Sequence, residues 1–352
     1  MVISFDYTLI TVLLGASIVG LVAGSLGCFA MLKRQSLVGD AISHAALPGI
    51  ALAFLLTQTK NPLVLLLGAA IAGFIGTSLV HVFTNLTKTK EDAALGIILS
   101  VFFGFGIFLL TIIQKLPSSE KSGLQSYLFG NAATMLRSDV ITIAALSMIV
   151  FAFVLLFWKQ FKLLIFDKAF AKTIGMPIIA IELLLTLLIV GAIVVGLQTV
   201  GVVLMSAMVI APAVAARQWT DNLGIMVVLA ACIGALSASI GTLISSSATQ
   251  IPTGPTIVVV LSIIVIISLF FSWHRGLLFD YLQHKKNRKQ VRVESTLLNL
   301  YYLSLQHDSK HAHTLDSLQA IDQTSVLDSL SLLERQRLVQ KKGVNAWVLT
   351  KL

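Results

Sequence analysis

The segment Gly39-Asp-Ala-Ile-Ser-His-Ala-Ala-Leu-Pro-Gly49 sets a carboxylate, Asp40, and an imidazole, His44, four residues apart. On a helix that spacing puts both groups on one face. Carboxylate oxygen and imidazole nitrogen together suit Mn2+, Fe2+ and Zn2+, and without a nearby thiolate they make a poor trap for soft copper. So small a ligand set fits an ion in transit. The same spacing is met if Asp40 is an N-terminal helix cap and His44 a packed polar residue, and spacing alone leaves both readings open.

The remaining histidines carry less. His81 falls near the end of an apolar run, where an amphipathic ring is at home at a membrane boundary. His307, His311 and His313 lie in Gln-His-Asp-Ser-Lys-His-Ala-His, which reads as a solvated loop, with a small metal-sensing cluster as the other reading. Another candidate is Phe166-Asp-Lys-Ala-Phe-Ala-Lys-Thr-Ile-Gly-Met-Pro177, a short amphipathic stretch in which Asp167 can cap a helix that Gly175 and Pro177 end. Such a helix can take up force from a partner protein or anchor in the membrane interface. The chain has no glycine-rich phosphate loop ending in Gly-Lys-Ser or Gly-Lys-Thr, so any ATP hydrolysis falls to another chain. Dinucleotide, metalloprotease and serine-elbow motifs are missing as well, and the chain is not expected to be an enzyme.

These groups need a scaffold, and composition sets its solvent. Of 352 residues, 57% are hydrophobic and 12% charged, more apolar than a water-soluble fold of this size can bury. A helix needs roughly 20 apolar residues to cross a hydrocarbon core of about 30 Å. Suitable runs fall near 9–31, 41–57, 63–84, 93–114, 139–157, 178–196, 200–216, 223–244 and 256–273, which gives eight or nine crossings. As one straight helix, Ile178 to Arg217 would reach roughly 60 Å, twice the hydrocarbon thickness. A turn is therefore expected at Gly196-Leu-Gln-Thr-Val-Gly201. No basic residue precedes the first run, so a helix is expected there and not a cleaved signal peptide. Cys28 and Cys232 sit inside apolar runs and suggest neither a disulfide nor a thiolate metal site.

With nine crossings and the N-terminus outside, ten Lys and Arg before residue 281 fall on the cytoplasmic side and four outside. The same topology brings the tail to the cytoplasm, where residues 281–352 carry 11 Lys and Arg against 6 Asp and Glu. The expected division is a transmembrane domain over 1–280, a basic linker over 281–293 and a small soluble domain over 294–352. Apolar spacing predicts helices over Glu294–His307, His313–Ile321 and Ser325–Val339, then a strand over Ala346–Thr350, the order of a reduced winged helix.

From Gly39–Gly49 onward the chain resembles the metal-ABC-transporter permeases, the membrane subunits of bacterial manganese, zinc and iron importers. The likeness continues through Glu91-Asp-Ala-Ala-Leu-Gly96, Tyr127-Leu-Phe-Gly130, Phe166-Asp with Ala171 and Gly175, Gly196–Gly201 and Ile251-Pro-Thr-Gly-Pro-Thr256. The resemblance implies an all-α polytopic fold similar to vitamin B12-type importers in the bacterial cytoplasmic membrane. It also implies a homodimer, cytoplasmic ATP-binding subunits and an extracellular metal-binding protein as partners. On that analogy Asp40 and His44 line the metal path, and Phe166, Asp167, Ala171, Gly175 and Pro177 belong to the helix that couples to the ATPase. The loop Lys121–Ala133 and the long tail resemble the manganese and iron branch more than the zinc branch; Mn2+ is the expected cargo, with zinc and iron as rivals and no permanently bound cofactor. The tail's winged-helix look resembles the DNA-binding part of metal-dependent repressors, yet Asp328 and Glu334 balance Arg335 and Arg337 there, and nucleic acid is not an expected partner. Two other classes compete. A secondary metal carrier would need more ionisable groups than Asp40, His44 and Glu182. A membrane-tethered regulator would need specific DNA binding by the tail.

Overall fold

A computed structural model describes residues 7–33, 35, 37–59, 61–115, 137–247, 251–306, 312–315, 317–318, 326–342 and 345–350. The segments Lys121–Ala133 and Tyr127–Gly130, together with His307 and His311, lie outside the described residues. The chain forms two compact units, Met1–His274 and Arg275–Leu352.

The first unit is helical among the described residues, in the order α1 Tyr7–Leu32, α2 Val38–Thr57, α3 Pro62–Leu86, α4 Glu91–Lys115, α5 Arg137–Leu156, α6 Trp158–Phe166, α7 Lys168–Thr173, α8 Ile178–Val200, α9 Val202–Trp219, α10 Leu223–Ser246 and α11 Thr253–Phe271. Polar caps mark where apolar runs begin. Asn61 accepts the Leu63 amide at 3.1 Å with Pro62 in the first turn, and Asn222 accepts the Gly224 amide at 2.9 Å. Among the described residues eight helices are long and apolar enough to cross a membrane. The expected run over 200–216 is α9, which falls outside those eight.

Burial separates centre from periphery. The apolar segments of α1, α2 and α8 are 61%, 72% and 56% buried, against 28%, 22% and 28% for α4, α5 and α11, whose outer faces are left for lipid or another chain. Close helix contact at the centre relies on small residues. A Cβ on Gly20 of α1 would lie 2.3 Å from the Gly234 carbonyl oxygen of α10, and one on Gly49 of α2 would lie 2.1 Å from that of Gly68 in α3.

The expected turn at Gly196–Gly201 is narrower than the sequence suggested. Helix α8 continues through Val200, and the break falls on Gly201 alone, at φ 91° and ψ 161°, a conformation that costs a residue with Cβ on the order of 1–3 kcal/mol. Gly196 does not break the helix. Its bare Cα accepts Met205 of α9, whose sulfur would sit 2.3 Å from a Cβ.

Among the described residues the second unit has α12 Leu277–Gln306, β1 His313–Thr314, α13 Val326–Arg335, β2 Val339–Lys341 and β3 Ala346–Leu349. The strands form an antiparallel sheet in the order β1-β3-β2, with His313 opposite Trp347 and Gln340 opposite Val348. Leu300, Leu318, Val326, Leu330, Leu333, Val339 and Trp347 fill its core. Residues 281–293, expected as a linker, are helical: no Gly or Pro interrupts Leu277–Gln306, and Lys, Arg and Gln are good helix formers. His313 is in a strand and not at a helix start. The helix expected to reach Val339 ends at Arg335, because Arg337 turns to φ 60° and frees Val339 to pair with Leu349.

Candidate metal site and coupling helix

Helix α2 brings Asp40 and His44 together as their spacing requires. The His44 Nε2 lies 3.4 Å from the Asp40 Oδ1, with the imidazole 12% and the carboxylate 35% exposed. The His44 ring packs edge-on against Phe103 of α4 at 4.6 Å between centroids, which fixes its orientation. Its other nitrogen, Nδ1, is buried with no hydrogen-bond partner. An imidazole nitrogen left dry and unpaired is costly unless something else claims it. Four residues on, Pro48 has no N–H, so the His44 carbonyl lacks its usual helical donor. Across from α2, Ser206 of α9 stands beside Asp40, its Cα 3.5 Å from where a Cβ on Gly39 would lie.

The result is a carboxylate and an imidazole on α2, with Ser206 of α9 and the Phe103 ring of α4 beside them. Nothing in the spacing pointed to Ser206 or Phe103, which arrive from distant parts of the chain. Among the described residues, no group of three or more His, Cys, Asp and Glu side chains could hold a metal ion, so the chain offers two ionisable ligands here and no closed cage. Asp40 does not cap a helix among the described contacts, since α2 begins at Val38 with Leu37 in the cap position and no side-chain cap bond. His81 lies in α3 and His313 in β1, and neither joins Asp40 and His44 in one element.

The second candidate element is built as its sequence implies. Asp167 accepts the Phe170 amide at 2.8 Å and starts α7. The helix stops at Gly175, φ 76°, with Gly175 donating to Lys172 and Met176 donating to Ala171, a Schellman ending. Pro177 then stands at the cap of α8. Ala171 is fully buried while Phe166, Phe170 and Ile174 are more than half exposed, so the segment is pinned on one side and presents an apolar edge on the other. Glu182 of α8 ties it down: one carboxylate oxygen accepts from Lys33 at the end of α1 at 2.8 Å, the other from Lys168 of α7 at 3.3 Å. That junction was not legible from spacing, because its three members come from three separate segments.

The match to known proteins covers the helical unit that carries both elements. Residues 5–272 fit the model of the ABC 3 transport family. The chain is 48% identical over 281 residues to the zinc transport system membrane protein TroC of Treponema pallidum, covering 80% of this chain and 94% of that one. It is 41% identical over 343 residues to the manganese transport system membrane protein MntC of Bacillus subtilis, covering 96% and 78%. Among solved structures, PsaBC from Streptococcus pneumoniae in complex with Fab aligns with a TM-score of 0.70 at 31% identity, over 80% of this chain and 96% of that one. A family model spanning most of the chain, and a relative 48% identical along 94% of its own length, place it: the chain is a multi-pass membrane protein of the ABC 3 transport family.

Proposed function

We propose that this chain is the permease subunit of an ABC importer that moves a divalent transition metal, Mn2+ in the first place, into the cytoplasm. The observation that carries the reading is the Asp40–His44 pair, a carboxylate and an imidazole 3.4 Å apart on a membrane helix with a buried, partnerless Nδ1. Ionisable side chains in such a helix face a pathway far more often than lipid. Manganese is favoured by the hard oxygen donors beside the imidazole, and by a relative matched along 96% of this chain whose name specifies manganese. The zinc transporter relative keeps zinc as the first rival.

In this mechanism Asp40 and His44 hold the partly dehydrated ion briefly. A two-ligand set binds weakly enough to let it go. ATP binds to partner subunits, since the chain lacks a phosphate loop of its own. The edge formed by Phe166, Phe170 and Ile174 docks on those subunits, and Glu182 passes the displacement to α1 and α8 through Lys33. A second copy of the chain completes the path, and an extracellular binding protein supplies the ion. The tail lies in the cytoplasm, and its helix, strand, helix and two further strands support a winged-helix-like domain.

The test is uptake of manganese, zinc and iron into proteoliposomes holding the chain with its ATPase and binding protein, for wild type and His44→Ala. ATP-dependent manganese uptake that the variant loses is the expected result. Uptake without ATP would instead assign a secondary carrier.

A further inference from the structure

The second unit contains a cavity of about 700 Å³ between α12 and α13. Lys285, Arg288, Lys289 and Arg292 line its α12 wall, and α13 sets one carboxylate, Asp328, opposite them. Spacing of three and four residues puts the four cations on one helical face. None of the four takes part in an ion pair among the described residues. Four exposed cations along a concave surface suit a ligand with several anionic oxygens, which is phosphate chemistry.

The preceding turns of the same helix say which phosphate. Leu277, Leu278, Tyr281 and Leu282 are 58%, 45%, 67% and 61% exposed, an apolar stretch that water-soluble phosphates would not need. Apolar residues followed by a basic cluster match the order of acyl chain and headgroup at a membrane surface. The helix also follows the last apolar span after residues 272–276, a connector that reaches roughly 20 Å when fully extended. We propose that the Lys285–Arg292 face of α12 binds the headgroups of anionic phospholipids in the leaflet from which the last span emerges. The choice of leaflet rests on the cytoplasmic placement of the tail.

The test uses the purified full chain in detergent, titrated with phosphatidylglycerol and with phosphatidylcholine and read by native mass spectrometry. It compares wild type with the combined variant Lys285→Gln, Arg288→Gln, Lys289→Gln and Arg292→Gln. The variant should bind phosphatidylglycerol more weakly by roughly tenfold or more, while phosphatidylcholine binding stays the same. Lys285→Arg with Lys289→Arg keeps the charge and should bind as wild type does, which separates lost charge from a damaged fold. Equal phosphatidylglycerol binding by wild type and the combined variant overturns the site. So does displacement of the lipid by millimolar inorganic phosphate, or tighter binding of a DNA duplex than of the lipid at the same salt. Trypsin cleavage within residues 285–292 in inside-out but not right-side-out vesicles reports sidedness separately, so a wrong topology and a wrong ligand give different results.

Discussion

In the proposed transit site neither Asp40 nor His44 is fully committed: the carboxylate is partly open, and the imidazole leaves Nδ1 without a partner. Removing either ligand should therefore cost transport and leave the fold. We expect Asp40→Asn and His44→Ala each to lower uptake by at least about 10- to 100-fold, with unchanged detergent-solubilised assembly by size exclusion. Retained uptake in both variants would remove them from the path. Ser206→Ala should do less, because it removes a polar neighbour of the Asp40 carboxylate and no ligand. In a double-mutant cycle it should add little once Asp40 is already Asn, since the group beside it has lost its charge. The pair itself was readable in the sequence, because a four-residue spacing is a local property of a helix. Ser206 and Phe103 were not, because only the folded packing of α9 and α4 against α2 brings them there.

At the scale of elements, helix boundaries followed the apolar runs, but the breaks depended on single backbones. The run from Ile178 to Trp219 contains several glycines, and apolarity cannot tell which one turns. Gly201 does so because its φ of 91° excludes a Cβ, whereas Gly196 is small to admit Met205. Gly201→Ala should cost on the order of 1–3 kcal/mol by strain and lower the melting temperature in detergent. An unchanged melting temperature would mean that the break adapts. Around α7 the expected defect is functional. Glu182→Gln weakens both the Lys33 and the Lys168 bonds at once and should uncouple the partner's ATP hydrolysis from metal uptake, raising ATP consumed per ion moved. Asp167→Ala removes only the cap, about 1 kcal/mol, and should raise that ratio less. A ratio equal to wild type in Glu182→Gln would mean that the junction only stabilises the fold.

For the molecule as a whole, the cargo and the fold should be independent. The first unit is held by packing between helices, including backbone contacts at Gly20–Gly234 and Gly49–Gly68 that need no ion. Among the described residues no cluster of three metal-ligating side chains exists whose occupation could add folding energy. A ligand that binds only the native state stabilises it by RT ln(1 + [L]/Kd), so a site loose enough for transit adds little unless the ion far exceeds its dissociation constant. The chain in detergent should therefore melt at the same temperature, to within about 1 °C, with chelator or with micromolar Mn2+. A larger upward shift would contradict a transit site of two ligands, and its origin can be located. If the shift disappears in Asp40→Asn, further ligands join that pair in the folded assembly. If it persists there and disappears when His307, His311 and His313 are replaced together by Ala, the tail holds a metal of its own, and the metal-sensing reading of those histidines replaces the solvated loop.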